Sequence, residues 1–423
     1  MLKVVHVSTT LRGGAGIAAY RIHEALLNNG ISSHFVCIDM DIPAGRTACT
    51  RLQQLPKLES FWKEIGDKIR WRLKHHLNVF LNKRDYCINE FNAIRLAFQC
   101  EVAGLPFSGH NILEDPYVQA ADIIHLHWTA EMLDYPGFFK HNTRPVVWTL
   151  HDMNSFSGLF HYKDDENRNS AVAARLNGLV AAIKTTAIQK RKCRLVFVAP
   201  SGWMKTEAEN SRFFHGVEGY KISYPINKEV FFPNRDVNLK RTLQVPEANI
   251  VFLFVAASAD NYRKGFDILM AALEQLSVAV TLLVLGNSEN VHEGNLDIRR
   301  LGTILDEAIL KDYYSIADAF IIPSREDNLP NVMLESLACG TPVISFDIGG
   351  MGEIVKENFT GLKAKEINAI ALKKVLEEFI QKKDQFQRSK IRDFAVEHFS
   401  EELVARKYKE VYSEIAGKKF VEG

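Results

Sequence analysis

Short runs of β-branched and apolar residues alternate with longer stretches of helical spacing along most of this 423-residue chain. Continuous apolar runs of four to eight residues suit strands buried on both faces, and strands that alternate with helices imply parallel sheets. In the first half the pattern predicts strands at Lys3–Ser8, Ser33–Ile38, Asp122–Leu126, Val146–Leu150 and Leu195–Ala199. In the second half it predicts Ile250–Ala257, Val280–Leu285, Ala319–Ile322 and Val343–Phe346. Two such series predict an α/β protein of two Rossmann-like, doubly wound domains. The join falls near Lys221–Asn234, where two prolines interrupt any periodicity, giving domains at about 1–224 and 225–395. Helical spacing over Lys390–Ile415, through Phe394, Phe399, Leu403, Tyr408, Val411 and Tyr412, predicts a final helix (396–423) that crosses back onto the first domain.

Residues 41–117 break the alternation and read as a helical insertion. Within Lys57–Arg84 there are eight Lys/Arg against three Asp/Glu, interleaved with Trp62, Trp71, Leu73, Leu77, Phe80 and Leu81. Such a basic amphipathic stretch suits either a membrane surface or a plain helix packed on the domain. The chain as a whole carries a net charge of only +1 and 47% hydrophobic residues. It therefore has no global drive toward nucleic acid. The first ten residues form a strand-like alternation with neither a basic leader nor an apolar core, and no apolar run approaches the ~20 residues of a membrane span. Six scattered cysteines without a CxxC pair read as reduced thiols. A cytoplasmic protein is expected; the membrane reading of 57–84, where it holds over the packed-helix one, adds peripheral contact at the inner face of the plasma membrane.

Candidate chemistry clusters after strand ends, where open parallel sheets bind ligands. After the first strand comes Leu11-Arg12-Gly13-Gly14-Ala15-Gly16, then a helix from about Ile17. Its spacing does not fit GxGxxG, so a dinucleotide site is not expected. His151 and Asp152 follow the Val146–Leu150 strand, which places His151 to donate to a substrate oxygen or to serve as a buried structural histidine. His125 and His127 share a strand face, but with no third ligand at recognisable spacing no metal site is expected. Arg263 and Lys264 stand at a loop-to-helix entry, where a guanidinium fork and an ammonium suit a diphosphate. Gly286, after the next strand, would let a base or ribose approach the backbone.

The densest segment is Pro323–Gly350. Asp327 stands eight positions before Glu335, with Asn328-Leu329-Pro330 between them at a helix start. Alone, that string is ordinary capping chemistry. Beside the cations and glycines it points to a nucleotide-sugar site, since two carboxylates can each grip vicinal hydroxyls and a helix start favours phosphate.

Taken together, the early glycine loop, HxHW, TLHD, PINKEVFFP, RKG, LGTILDE and EDNLP…E…ACGTPV resemble the retaining glycosyltransferases of family 4, which have the two-domain GT-B fold. The resemblance runs through most of the chain and is weakest over 41–117. It implies that the first domain binds the acceptor and the second the nucleotide sugar. Asp327 would face the donor sugar, Glu335 would hold the ribose hydroxyls, and the backbone around Asn328, Leu329, Pro330 and Asn331 would meet sugar or phosphate. Lys264 would contact the diphosphate, Gly14 and Ala15 would face it from the other domain, and His151 would touch the transferred sugar. Two departures stand out. Glu326 precedes the Asp at the first acidic position, leaving open which carboxylate reaches the sugar. Ala259 stands where the family often has Arg, a charge Arg263 would replace.

The expected reaction is transfer of a sugar from a nucleoside-diphosphate donor to a glycan or lipid-linked acceptor, with retention, in cell-surface polysaccharide synthesis. No cofactor and no divalent metal are expected, because no DxD-type pair accompanies the cations. A sugar-nucleotide epimerase and a non-catalytic sugar-nucleotide-binding subunit are the alternatives.

Overall fold

The computed structural model describes residues 2–38, 48–52, 83–234, 238–288 and 296–417. Most of the basic stretch 57–84, including Trp62 and Trp71, lies outside the described residues. Two all-parallel sheets make up the fold. The first has seven strands in the order β3-β2-β1-β4-β5-β6-β7: β1 (Lys3–Val7), β2 (Ser32–Cys37), β3 (Cys49–Arg51), β4 (Ile123–Leu126), β5 (Val146–Thr149), β6 (Leu195–Ala199) and β7 (Glu218–Lys221). The second has six, ordered β10-β9-β8-β11-β12-β13: β8 (Ile250–Ser258), β9 (Val280–Asn287), β10 (Asp297–Arg300), β11 (Ala319–Ile322), β12 (Val343–Phe346) and β13 (Gly361–Ala364). These are the two Rossmann-like domains that the alternation predicts, and they agree with the GT-B fold that the resemblance implies.

All nine predicted strands are present. The four that pattern alone does not reveal, β3, β7, β10 and β13, are the edges of the two sheets. An interior parallel strand is covered on both faces and must be apolar throughout, as the fully buried Val146–Thr149 and Ala319–Ile322 are. An edge strand needs only its backbone ladder, so CTR, EGYK and DIRR carry little apolar signal.

The crossing between domains leaves β7 at Lys221 and runs to β8. Midway, the Ile226 N–H donates to the Phe399 carbonyl at 2.7 Å, so the outgoing linker and the returning chain touch. The expected single C-terminal helix is instead two helices. The chain forms helix Arg388–Phe399, breaks at the extended residue Ser400 (ψ 150°), and restarts as Glu401–Ala416. The first of these packs on helix Asn331–Ala338 in the second domain and the second on helix Gly13–Asn28 in the first. Val404, Tyr408, Val411, Tyr412 and Ile415 are buried there, continuing one core across both domains.

Candidate functional site

Residues that follow strand ends in the two sheets meet each other across the domain boundary. Asn331 donates through Nδ2 to the Gly14 carbonyl (2.7 Å). Asn328 donates to the carbonyls of Leu150 and His151 (3.3 Å each), and its Oδ1 accepts from Ser201 Oγ (2.7 Å). Glu326 turns away from its neighbours and accepts the N–H groups of Lys163 (3.0 Å) and Asp164 (2.9 Å), capping a short helix of the first domain.

Asp327 is the carboxylate that reaches the cations. Its Oδ2 accepts from Lys264 Nζ at 2.6 Å and from Arg263 Nη1 at 3.1 Å. Burial works to raise the Asp327 carboxyl, but Lys264 and Arg263 outweigh it and hold it below the usual range. Burial and the adjacent guanidinium in turn draw Lys264 below the ordinary lysine value. Both cations are presented by the single turn Tyr262–Lys264, started by Asn261 accepting from the Arg263 N–H and ended by Gly265 at φ +67°. A Cβ on Gly265 would lie 1.9 Å from the Pro323 carbonyl, so that backbone must be glycine to reach the Asp327 loop. Arg263 also stacks on Tyr162 (4.1 Å) and pairs with Glu101 of the first domain (2.9 Å).

Glu335 lies in helix Asn331–Ala338 and is buried. One oxygen pairs with Arg21 at 2.8 Å and the other accepts from Tyr314 OH at 2.9 Å. Arg21, from helix Gly13–Asn28, also binds Glu307 at 2.8 Å and lies over Phe231. As folded, both Glu335 oxygens are taken, and ribose hydroxyls would have to share or displace these partners. Leu329 is a core residue and Pro330 precedes the first helical residue, Asn331.

The glycine loop differs from its expected form, because the helix starts at Gly13 and not near Ile17. A Cβ on Gly13 or Gly14 would meet nothing within 4 Å, while one on Gly16 would strike the Thr10 and Leu11 backbone. Ala15 is half-buried beside the open pair. At Gly286 (φ +112°) the close approach comes from the Ala256 carbonyl of β8, 1.7 Å from where a Cβ would stand.

The histidines form a buried file beneath the site. His6 Nδ1 and His127 Nε2 share a hydrogen bond (2.8 Å), His127 Nδ1 meets His151 Nε2 (3.0 Å), and His151 Nδ1 meets Tyr224 OH in the linker (2.9 Å). Both His151 nitrogens are therefore engaged within the protein. Burial takes its pKa down to about 4, leaving a neutral ring. His6 completes, with His125 and His127, a trio whose ligand atoms lie within 4.8 Å of one another. It is the third imidazole that spacing could not supply, brought in by the β1–β4 register that pairs His6 with His125. Within the trio both His125 nitrogens have partners, Tyr412 OH (2.6 Å) and Thr149 Oγ1 (2.7 Å), while His6 Nε2 has no hydrogen-bond partner among the described residues. Trp128 of HxHW donates to Asp152 (2.8 Å), which also binds His161 at 2.6 Å.

That His151–Tyr162 loop is held from behind by Lys184. Its ammonium, fully buried, donates to the carbonyls of Asn154 (2.7 Å) and Gly158 (2.8 Å). Burial takes its pKa from 10.5 down to about 7. Between those values the unfolded chain binds more protons than the folded one, so this group makes stability rise with pH from about 7 to about 10.5. Lys184→Met should remove that slope. Urea titrations at pH 7 and 10 should show the wild type gaining on the variant, and parallel profiles would show that Lys184 stays charged. On the same side, a cavity of about 440 Å³ is bounded by Phe156, Phe160, Tyr162, Lys163, Asn177 and Phe213, and shares Tyr162 with the Arg263 stack.

Four interacting residues carry no sequence signal: Arg21 and Tyr224 sit within ordinary helical and linker patterns, Glu101 within the irregular insertion, and Tyr162 in a loop.

Residues 249–382 match the family described as Glycosyl transferases group 1. A D-inositol 3-phosphate glycosyltransferase of Streptosporangium roseum is 25% identical over 285 residues, covering 62% of each chain. An uncharacterized glycosyltransferase of Methanocaldococcus jannaschii is 25% identical over 58% of this chain and 62% of its own length. The chain thus spans about six-tenths of these curated relatives. Among solved structures, sucrose-phosphate synthase from Thermosynechococcus elongatus has a TM-score of 0.69 at 17% identity, covering 99% of this chain and 100% of the other. The Anabaena protein HepE in complex with UDP has a TM-score of 0.63 at 15% identity, covering 98% of this chain and 100% of the other. At these identities the structural likeness establishes the fold.

Proposed function

We propose that this protein is a glycosyltransferase of the retaining family 4 type, moving a sugar from a nucleoside-diphosphate donor to a glycan or lipid-linked hydroxyl. The observation that carries the reading is the Lys264–Asp327–Arg263 cluster, at 2.6 and 3.1 Å, set where strand ends of both domains converge. The match of residues 249–382 to Glycosyl transferases group 1 supports it. So does HepE, a fold neighbour whose structures include complexes with UDP and with UDP-glucose.

Breaking the sugar–phosphate bond leaves the pair of electrons on a diphosphate oxygen, so the largest catalytic term is stabilisation of that charge. Lys264 and Arg263 take this role, and Asp327 orients both while facing the sugar. His151 borders the transferred sugar next to Asn328. The acceptor enters from the first domain, beside the cavity behind Tyr162. The charge stabilisation described requires no divalent metal.

Thermal stabilisation by a panel of nucleoside diphosphates tests the donor site. Product analysis then separates the classes. Transfer only when an acceptor extract is present supports the glycosyltransferase. Turnover of the donor sugar without acceptor would identify an epimerase, and binding with no turnover a non-catalytic subunit.

A further inference from the structure

Within the chain itself, the charges around Arg263 balance. Two cations, Arg263 and Lys264, face two carboxylates, Asp327 and Glu101. The carboxylates are not equivalent. Asp327 is 10% exposed and is shared by both cations, whereas Glu101 is 44% exposed and belongs to the opposite domain. Glu101 Oε2 accepts from Arg263 Nη2 (2.9 Å) and Nε (3.3 Å). Those are two neighbouring donors on one edge of the guanidinium, and such an edge fits a phosphate as well as a carboxylate. Nη1, on the other side, is committed to Asp327 and the Glu326 carbonyl.

We infer that Glu101 is a resident anion in the donor's phosphate position: it pairs with the edge of Arg263 that a diphosphate would use and competes with the diphosphate for it. The inference rests on the donor reading above and adds to it a residue that sets donor affinity. Its attachment suits the role. The Glu101 segment is pinned to the first domain, with the Gln99 N–H donating to Asn169 Oδ1 (2.8 Å) and the Gly104 N–H donating to the Leu159 carbonyl (2.9 Å). The carboxylate therefore spans the domain boundary as a local strap and leaves Arg263 without disturbing a core. Burial works to raise its carboxyl, but Arg263 outweighs that and holds it ionised. The ribose end behaves differently. Arg21 on Glu335 is buried on both sides, and neutral hydroxyls could not replace its charge, so ribose would share Glu335 with Arg21 and the displacement falls on Glu101.

The test is calorimetric titration of the full chain and its Glu101→Gln variant with UDP, GDP, ADP, TDP and inorganic pyrophosphate, each alone. Glu101→Gln keeps the shape and removes the competing charge. Its Kd for the diphosphate that binds the wild type should fall about two- to fivefold, the size an ion pair of this exposure carries. The gain should shrink between about 50 mM and about 500 mM salt, as screening weakens the competing pair. In an Arg263→Gln background, Glu101→Gln should change nothing. Equal or weaker binding by the single variant would make Glu101 a structural strap and overturn the inference while leaving the donor reading intact. Failure of the wild type and the variant to bind any of the five probes would overturn both.

Discussion

Lys264→Ala should lower kcat by about 10²–10³-fold, the loss typical of removing one preorganised donor from a site where negative charge develops. The ammonium stands 2.6 Å from Asp327 and beside Arg263, so it cannot be a solvated surface charge. Removal leaves Asp327 paired with Arg263 at 3.1 Å, and the fold should survive with a thermal midpoint close to wild type. The loss should fall mainly on kcat, because the leaving diphosphate carries more charge on its bridging oxygen in the transition state than in the bound donor. Steady-state kinetics at saturating donor, with the midpoint as a control, make the measurement. Turnover near wild type would remove Lys264 from charge stabilisation.

Arg21→Ala should cost about 3–5 kcal/mol of folding stability, because it strands a buried carboxylate. Glu335 would keep only the Tyr314 hydroxyl, inside a helix packed between the domains. Burial already raises the Glu335 carboxyl and Arg21 is the main force opposing it, so the variant's Glu335 should hold its proton to still higher pH. The sign follows from linkage. A folded-state pKa above the unfolded value means that the folded protein binds more protons, so stability falls as pH rises through that range. The deficit of Arg21→Ala should therefore be largest near pH 8 and shrink toward pH 5. Arg21→Ala combined with Glu335→Gln should recover part of the loss. A deficit below about 1 kcal/mol would mean that the pair behaves as an exposed one.

These two residues mark how far the sequence could be read. Lys264, Arg263 and Asp327 stand in loops beside strand ends, where motif spacing and the strand-end rule both apply. Telling which of Glu326 and Asp327 meets the cations required coordinates, since adjacent side chains point in opposite directions and only the partners tell them apart. Glu326 finds N–H groups at Lys163 and Asp164, and Asp327 finds the cations. Arg21 looked like any residue of an amphipathic helix, and Glu101 lay in the segment with the least pattern.

By itself, the sequence determined the interior of each sheet, the division of those strands into two series and the positions of the strand-end loops. Those features depend on local periodicity, which the backbone enforces residue by residue. Tertiary structure decided the four edge strands, the break at Ser400, the histidine file and the partners of Glu335 and Arg263. Each of these depends on contacts between residues tens to hundreds of positions apart, and no local pattern encodes which distant charge or hydroxyl will complete a buried group.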